Sequence, residues 1–454
     1  YMQMTLRNNY NLKALSDYDG ETWTFGQIGT EIAMLHEGFK AIGIKEGDKI
    51  ALIGKNSANW CKIYLATITY GAVIVPILPD FRPADMHTIV NHSDSVLLFA
   101  EESVFKTLDL NEMPAIPMAL RVRDFSVLNA SDQTKADRFE QIIEQFKISH
   151  PDGIQPENVN YRHQTPDELI VISYTSGTTG FSKGVMLPQR SLLGNIEFAR
   201  KFMPMDPGER ILSFLPLAHA FGCLVEFVFP FTLGCHITFL TKTPAPSTIT
   251  EAFGKVKPNL IPSVPLVIEK IYNGKLRPVV SKPAMKILLA IPGIRRILLN
   301  KIKAKLTETL GGEFRELVIG GASFNPEAEK FFRQLRLPFT VGYGMTECGP
   351  LISYRGWRTT VFQGCGKIVE QLTLKIASPD PENISGEIMV KGGNVMLGYY
   401  KNPEATKAMI DDDGWLHTGD IGTVDKNGNI FIRGRMKNMI LSASEQNIYP
   451  EEIE

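Results

Sequence analysis

The sequence has few cysteines and no cysteine pattern that would bind zinc. Five cysteines occur in 454 residues, and none is spaced as CxxC. Disulfide-stapled domains and structural zinc sites both need denser and more regularly spaced cysteines. We therefore expect neither a disulfide framework nor a zinc site, and the thiols favour a reducing, cytoplasmic setting.

An excess of charge of one sign is also missing. Lys and Arg number 48 against 49 Asp and Glu, so no overall field favours nucleic acid as a partner. Apolar residues make up 44% and charged residues 21% of the chain, close to the average of globular proteins. We expect a folded soluble protein, whose partners must be inferred from local features of the sequence.

Long uninterrupted hydrophobic runs are absent as well. The most apolar stretch, residues 211–240, contains Glu226, two histidines and two prolines, which disfavours a membrane-spanning helix because charged groups are unfavourable in lipid. The first residues lack the basic start and apolar block of a secretory signal. We expect no export signal there.

What the sequence does contain is an alternation of strand and helix signals. The first hundred residues predict helices over 25–42 and 58–70 and strands over 49–54 and 72–77. This rhythm is typical of βαβ units around a doubly wound parallel sheet. Residues 100–167 are more polar and predict a surface excursion, after which the α/β signals resume.

The end of the chain has a different character. Beyond Thr359, short strands separated by Gly, Asp and Asn turns dominate, which predicts a smaller β-rich subdomain. The predicted fold class is therefore α/β, with two doubly wound α/β subdomains and a β-rich one.

One loop carries the strongest chemical signal. Residues 174–184 read YTSGTTGFSKG, and such glycines let a backbone fold closely around an anion while hydroxyls and a lysine contact its oxygens. A flexible linker is the plain alternative, and the Walker pattern GxxxxGK[ST] is absent. The predicted phosphate-binding residues are Thr175, Ser176, Gly177, Thr178, Thr179, Gly180 and Lys183.

Further motifs follow this loop in a fixed order, and together they carry a resemblance. They are Leu215–His219 (LPLAH), Gly320–Ser323 (GGAS), Gly342–Glu347 (GYGMTE), Gly414–Asp420 (GWLHTGD) and Gly434–Asn438 (GRMKN). The whole chain resembles the adenylate-forming superfamily, which contains acyl-CoA synthetases, firefly-type luciferases and the adenylation domains of peptide synthetases. Residues 261–272 are similar to the long-chain acyl-CoA synthetase branch, where this stretch borders an acyl tunnel.

The resemblance implies a reaction in two halves. A carboxylate attacks the α-phosphorus of ATP to give acyl-AMP and pyrophosphate, and a thiol, that of CoA, then takes the acyl group. By resemblance Glu347 holds Mg²⁺, Thr346 donates to the α-phosphate and Lys183 neutralises phosphate charge. Taken alone, a Thr-Glu pair is more often a solvated turn or helix cap.

The remaining site residues also come from the resemblance. Asp420 is expected to accept from the ribose hydroxyls with help from Arg435, and Tyr343 to stack on adenine. His219 is expected to gate or line the point where acyl carboxylate and nucleotide meet, although a lone histidine in an apolar stretch is more often a core side chain. The backbone groups expected around the nucleotide belong to Gly320, Gly321, Ala322 and Gly344.

A basic segment predicts a further contact. Residues 269–306 contain ten Lys or Arg and one acidic residue among apolar runs, as in helices that lie peripherally on the inner face of an anionic membrane. An ordinary solvated helix face is the alternative.

The sequence ends where the family passes into a mobile lid of about one hundred residues, the size of a small domain. Residues 435–454 then correspond to the hinge, with Lys437 as hinge residue, and a stub of that lid. The lid's catalytic lysine has no counterpart, so we expect nucleotide binding with little turnover. Glu445 stands where the family usually has Gly, which bears on the thioester step.

The predicted segments are thus 1–167, the first α/β region; 168–355, the second, with the phosphate loop; 356–434, the β-rich subdomain; and 435–454. Two rival functions stay open. One is a fatty acyl-AMP ligase that delivers to a carrier protein, and the other is a catalytically silent nucleotide- or lipid-binding relative.

Overall fold

The computed structural model describes residues 1–175, 182–436, 440–441 and 447–448. Its strands lie in the following order along the chain: β1 (Lys13–Asp17), β2 (Thr22–Thr24), β3 (Lys49–Ile53), β4 (Val73–Ile77), β5 (Ser95–Ala100), β6 (Met118–Arg121), β7 (Val127–Ala130), β8 (Leu169–Thr175), β9 (Lys183–Pro188), β10 (Arg210–Ser213), β11 (His236–Phe239), β12 (Leu260–Ser263), β13 (Glu316–Ile319), β14 (Phe339–Val341), β15 (Tyr343–Gly344), β16 (Leu351–Tyr354), β17 (Lys367–Ile368), β18 (Leu372–Ala377), β19 (Gly386–Gly392), β20 (Gly398–Tyr399), β21 (Leu416–Val424), β22 (Ile430–Arg435), β23 (Ile440–Leu441) and β24 (Asn447–Ile448).

The α-helices follow the same numbering by chain order. They are α1 (Met2–Asn8), α2 (Phe25–Ala41), α3 (Ala58–Tyr70), α4 (Pro83–His92), α5 (Glu102–Phe105), α6 (Gln133–Ser149), α7 (Gln189–Phe202), α8 (Ala220–Gly222), α9 (Phe229–Thr232), α10 (Pro246–Val256), α11 (Pro265–Ile271), α12 (Arg277–Val280), α13 (Pro283–Ala290), α14 (Pro292–Thr309), α15 (Pro326–Gln334) and α16 (Pro403–Met409). Short 3₁₀ turns span Leu110–Glu112, Pro156–Asn158 and Thr346–Cys348, and wider π turns span Cys223–Val228 and Tyr272–Leu276.

The chain forms two compact units. The first consists of Tyr1–Ile196, Pro204–Pro244 and Met396–Pro403, and the second consists of Glu197–Met203, Ala245–Val395 and the residues from Glu404 onward.

An eight-stranded sheet forms the centre of the first unit. Its order is β20-β9-β8-β4-β3-β5-β6-β7, and the strands from β8 to β6 run parallel to their neighbours. Side chains such as Val75, Leu98 and Ile172 are fully buried on it, as expected for parallel strands covered on both faces. A second sheet of this unit has the order β10-β11-β1-β2. The predicted α/β fold class is confirmed.

Local signals explain why the first two long helices begin where predicted. At α2, the Thr24 hydroxyl accepts from the backbone N–H of Gln27 at 3.2 Å, and the Gln27 side chain accepts from the Thr24 N–H at 2.8 Å. This capping box satisfies two donors that a helix start would otherwise leave unpaired. At α3, Ser57 caps Trp60, and the helix ends at Gly71 with φ +95°.

Residues 100–167 contribute more to the fold than the predicted surface excursion. They supply β6 and β7 to the large sheet, and α6 packs against α2. Phe139 of α6 is 1% exposed, because the side of α2 it meets carries Gly38, where any Cβ would collide with the Phe139 ring. A polar helix thus buries a narrow apolar stripe.

The apolar stretch 211–240 is divided between β10, α8, the π turn Cys223–Val228, α9 and β11. Within the part of the chain that the structure describes, no helix is both long and apolar enough to cross a membrane.

The second unit contains a parallel sheet and several antiparallel ones. The parallel sheet has the order β12-β13-β14, with Ser263 beside Ile319 and Ile319 beside Val341. Two antiparallel sheets follow, β15-β16-β17 and then β18-β19-β21-β22. β15 and β16 precede Thr359, and the strands from β17 onward lie in the stretch beyond Thr359 where short strands are predicted.

Candidate active site

Two glycine-rich motifs lie side by side at the carboxyl edge of the parallel sheet in the second unit. Residues 320–322 follow β13 and residues 342–344 follow β14. The N–H of Gly342 donates to the carbonyl of Ile319 at 2.9 Å, which joins the two loops at their starts. In open α/β sheets this edge is where ligands bind.

The backbone at these motifs needs glycine at two positions. Gly321 has φ +89°, a left-handed conformation in which a side chain is strained. A Cβ at Gly344 would collide with the carbonyl oxygen of Pro350. Gly320 is buried, whereas Gly321, Ala322 and Gly344 are exposed, so these three backbone positions are accessible.

A buried carboxylate joins three of the predicted site residues. The Tyr343 hydroxyl donates to Asp420 Oδ2 at 2.7 Å, and Arg435 Nε donates to Asp420 Oδ1 at 3.0 Å. Asp420 is 5% exposed. Each carboxylate oxygen accepts one of these bonds and keeps a further lone pair, so the group can still accept from hydroxyls of a ligand.

Strand register and backbone contacts fix this cluster. β21 and β22 are antiparallel with Asp420 directly opposite Arg435, a cross-strand position at which opposite charges stabilise a sheet. The Asp420 N–H donates to Thr418 Oγ1 at 3.1 Å. Burial, and then the charge of Asp420, raise the pKa of Tyr343 well above its usual value, so the phenol remains a donor.

Thr346 and Glu347 begin the 3₁₀ turn that follows Gly344. Glu347 is 8% exposed. The Thr-Glu pair is therefore not the solvated turn that these two residues alone would suggest. The turn is closed by Gly349 at φ +64° and by a bond from the Met345 N–H to the Pro350 carbonyl at 2.9 Å. Glu347 is therefore placed by the backbone of a tight loop.

Glu347 suits Mg²⁺ better than a metal ion that needs several protein ligands. Among the described residues, no group of three or more His, Cys, Asp or Glu side chains could hold a metal ion. Mg²⁺ usually binds one or two carboxylates and completes its shell with waters and substrate phosphates. A single buried Glu347 fits that mode.

In the first unit, β8 and β9 form an antiparallel pair that brackets the predicted phosphate loop. Thr175 is opposite Lys183, and Tyr174 is opposite Gly184. The residues between them therefore connect two paired strands, which a linker between domains does not do. Ser176, Gly177, Thr178, Thr179 and Gly180 lie outside the described residues, and their phosphate contacts stay a prediction.

Lys183 has an aromatic neighbour that the sequence reading missed. β20 pairs with β9 and places Tyr399 opposite Val185, with the Lys183 ammonium 4.9 Å from the centre of the Tyr399 ring. Such a cation–π contact restrains a flexible lysine. The next residue, Tyr400, donates to Asp94 at 2.7 Å.

His219 is the N-cap residue of α8, immediately before Ala220, and its side chain is exposed rather than part of the core. Neighbouring protein atoms still shield the ring in part from water, and this desolvation lowers the pKa of His219 below its usual value, which favours the neutral imidazole.

Asn56 and Glu226 hold the segment before His219, and neither is among the predicted residues. Asn56 donates from its amide to the Leu215 carbonyl at 2.6 Å and accepts from the Leu217 N–H at 3.0 Å. Glu226 Oε2 accepts from the N–H groups of Phe214 and Leu215 at 3.0 and 2.9 Å. The signal in the sequence is Glu226 itself, a single acid in an apolar run.

Glu226→Gln is expected to become progressively more stable than the parent as pH rises. Glu226 is fully buried, and burial raises its pKa well above 4.5. Above about pH 4.5 the unfolded chain releases this proton while the folded chain retains it, so the parent loses up to about 1.4 kcal/mol per pH unit until the folded pKa is reached. Because glutamine does not titrate, the variant does not undergo this loss of folding stability.

Urea unfolding of both proteins at pH 5 and pH 8 measures the effect. The exposed Glu140→Gln on α6 is the matched control and should show no pH-dependent difference from the parent. A constant gap between parent and Glu226→Gln across this range would contradict the raised pKa.

The segment predicted to border an acyl tunnel contributes a structural contact. In α11, Glu269 Oε1 accepts from the N–H of Asn325 at 2.9 Å, and Asn325 caps α15. Glu269 thereby ties α11 to the loop that continues from Gly320–Ala322. The tunnel itself stays a prediction, and Lys437 and Glu445 lie outside the described residues.

Comparison with known proteins identifies the family. The sequence pattern of the family described as AMP-binding enzyme matches residues 3–400. The chain belongs to the AMP-binding enzyme family. As a member of this family, the protein is an adenylate-forming, acyl-activating enzyme.

Similar proteins include acyl-activating enzymes of two kinds. The chain is 29% identical to the probable acyl-activating enzyme 16 of Arabidopsis thaliana, over 95% of this chain and 69% of that protein. It is 30% identical to long chain acyl-CoA synthetase 6 of the same plant, over 96% and 65%. A third relative, the plant's long-chain-fatty-acid–acyl-carrier-protein ligase AEE15, is 27% identical over 95% and 68%.

Solved structures agree on the fold. ATP-bound MatB from Rhodopseudomonas palustris superposes with a TM-score of 0.77 at 21% identity, over 100% of this chain and 82% of that one. The N-terminal domain of FACL13 from Mycobacterium tuberculosis gives 0.74 at 19% identity, over 96% and 99%. At these identities the likeness concerns the fold alone.

Proposed function

We propose that this protein activates a fatty acid with ATP to acyl-AMP and pyrophosphate, and transfers the acyl group to CoA. The observation that carries the proposal is the cluster of Tyr343, Asp420 and Arg435, a buried carboxylate with lone pairs left for ribose hydroxyls. It belongs to the same unit as the accessible backbone of Gly321 and Ala322, at which we propose adenine binds, with Tyr343 on its other face.

In the first half-reaction, a carboxylate oxygen of the acid attacks the α-phosphorus of ATP. The new O–P bond forms as the bond to the bridging oxygen of pyrophosphate breaks, and that oxygen keeps the electron pair. This displacement depends on alignment and on neutralised charge more than on a strong base. We assign phosphate contacts to the loop from Thr175 to Lys183 and to Thr346.

Glu347 is the residue that would hold Mg²⁺. The ion supplies positive charge against the phosphate oxygens. The protein's part is to hold the carboxylate in place, and the tight turn that contains the buried Glu347 does this.

In the second half-reaction, a thiol sulfur attacks the acyl carbonyl carbon. The C–S bond forms, the C–O bond to AMP breaks with its electron pair on the phosphate, and the thiol proton is released to solvent. We place His219 at the acyl carboxylate. Its imidazole is neutral there, so it lines the site without adding a second positive charge to that of Lys183.

A long-chain acid is the substrate class we favour. The segment 261–272 resembles the long-chain branch, and a relative named long chain acyl-CoA synthetase 6 is 30% identical. An apolar channel would select length at roughly 0.8 kcal/mol per buried methylene. We propose a cytoplasmic site of action with peripheral membrane contact through residues 269–306.

A carrier protein is the second candidate acceptor for the acyl group. A relative named as an acyl-carrier-protein ligase is 27% identical, nearly as similar as the CoA-dependent ones. Identity of this size does not favour one thiol over the other.

ATP–pyrophosphate exchange with a panel of acids tests the proposal. The assay uses the chain with any native C-terminal extension restored and then adds CoA. We expect exchange with long-chain acids and thioester formation on CoA addition. Exchange without thioester supports the carrier-protein ligase, exchange only with acetate or aromatic acids contradicts the fatty-acid assignment, and no exchange with any acid supports the silent relative.

A further inference from the structure

Two helices of the second unit leave their apolar side chains in solvent. α13 has no buried residue, and α14 has one, Leu306. The exposed large apolar side chains gather around the turn between the helices: Ile287 (67% exposed), Leu288 (38%), Ile291 (45%), Ile294 (37%) and Ile297 (58%). Five such residues within eleven positions form a patch of the kind that marks an interaction site.

The same stretch carries charge of one sign. Residues 282–307 contain seven Lys or Arg and no Asp or Glu. Lys286, Arg295 and Arg296 flank the apolar turn and are exposed, and none of the three forms an ion pair with any residue the structure describes. Positive charge beside exposed isoleucine is therefore uncompensated within the described chain.

The far end of α14 is held firmly. Leu306 and Leu310 are 3% and 2% exposed, the helix packs against α10, and Lys303 donates to the Arg336 carbonyl at 2.8 Å. The carboxyl end of α14 is thus anchored by packing. Its amino-terminal half, which adjoins α13, contains no buried residue.

We propose that α13 and the amino-terminal half of α14 dock on an anionic lipid bilayer. The isoleucines around residue 291 enter the interface, and the basic side chains contact lipid phosphates, as in interfacial amphipathic helices. A solvated helix face does not account for the exposed apolar patch. Pairing of this surface with the same surface of a second chain would place the seven basic residues of one copy against the seven of the other. Repulsion between these like charges disfavours such a dimer.

The inference deepens the proposed function and rests on it for its purpose, because a long-chain acid partitions into a bilayer and would be collected there. Binding itself requires neither ATP nor turnover, so the two proposals can fail separately.

Co-sedimentation with vesicles tests this surface. The full chain is mixed, without ATP or acid, with vesicles of phosphatidylcholine alone or with an equal share of phosphatidylglycerol. We expect binding to the anionic vesicles that weakens as salt is raised. Arg295→Gln/Arg296→Gln should lower the partition coefficient about 30-fold, at roughly fivefold per charge, and Ile294→Ser/Ile297→Ser should lower it about tenfold or more.

Arg138→Gln/Lys147→Gln is the matched control, because it removes two charges from the exposed face of α6 and should bind like the parent. All substituted side chains are exposed, so thermal unfolding should be unchanged. Equal binding to neutral vesicles, parental binding by the Arg295/Arg296 variant, or no vesicle binding by the parent would each overturn the proposal. ATP–pyrophosphate exchange with a soluble acid in lipid-free buffer reports separately on the proposed function.

Discussion

Glu347→Gln is expected to lower ATP–pyrophosphate exchange about a hundredfold or more, the usual scale for removing a group that stabilises charge in a transition state. The substitution keeps the shape of a side chain that is 8% exposed but removes the negative charge proposed to hold Mg²⁺. The concentration of free Mg²⁺ needed for half-maximal exchange should therefore rise. Exchange rates across a Mg²⁺ series measure both effects.

A structural defect would look different from the loss of a metal ligand. It would lower the thermal unfolding midpoint and leave the Mg²⁺ dependence of the remaining activity unchanged. Glu382→Gln, an exposed acid of the same unit, is the control and should retain parental exchange. If Glu347→Gln retained the parental Mg²⁺ dependence, the proposed role of Glu347 would be wrong.

Local structure was the part of the fold that the sequence predicted well. The helix predicted over 58–70 has those bounds in the structure, and the one predicted over 25–42 ends one residue earlier, at Ala41. Both predictions succeeded because their signals are local: the cap residues Thr24 and Ser57 and an apolar period within each helix.

Contacts between residues that are distant in the chain could not be predicted from the sequence. The resemblance assigned Tyr343 to adenine and Asp420 to ribose, but it did not indicate that their side chains share a hydrogen bond across 77 positions. Nor could it place Arg435 opposite Asp420, since that pairing depends on the register of β21 and β22. Register depends on which faces are buried once the sheet has formed.

The supporting residues were missed for a related reason. Glu226 and Tyr399 carry no motif of their own, and their roles arise from what the fold brings to them: three donors around one carboxyl oxygen in the first case, and the ammonium of Lys183 in the second. A polar composition also concealed α6, whose buried stripe consists of little more than Ala136 and Phe139.

Asp420→Asn is expected to lower kcat/KM for ATP about 30-fold, mainly through KM, because hydrogen bonds to a charged partner are worth roughly 1.5–3 kcal/mol. Asn preserves the shape of the group, but one of its two terminal atoms becomes a donor and can no longer accept from a ribose hydroxyl. Steady-state exchange rates over an ATP series measure the change. Asp412→Asn, at an exposed neighbouring position, should match the parent.

The choice of nucleotide separates a ribose contact from a structural role. If Asp420 accepts from the sugar hydroxyls, the penalty of Asp420→Asn should largely disappear with 2′,3′-dideoxy-ATP, since the parent then has no hydroxyl to bind and the two losses are not additive. Tyr343→Phe removes the 2.7 Å bond to Asp420 but keeps the aromatic ring, and it should retain the discrimination between ATP and its dideoxy analogue. An equal penalty for Asp420→Asn with both nucleotides would show that the carboxylate acts through Arg435 and the β21–β22 pairing, and that the ribose is held elsewhere.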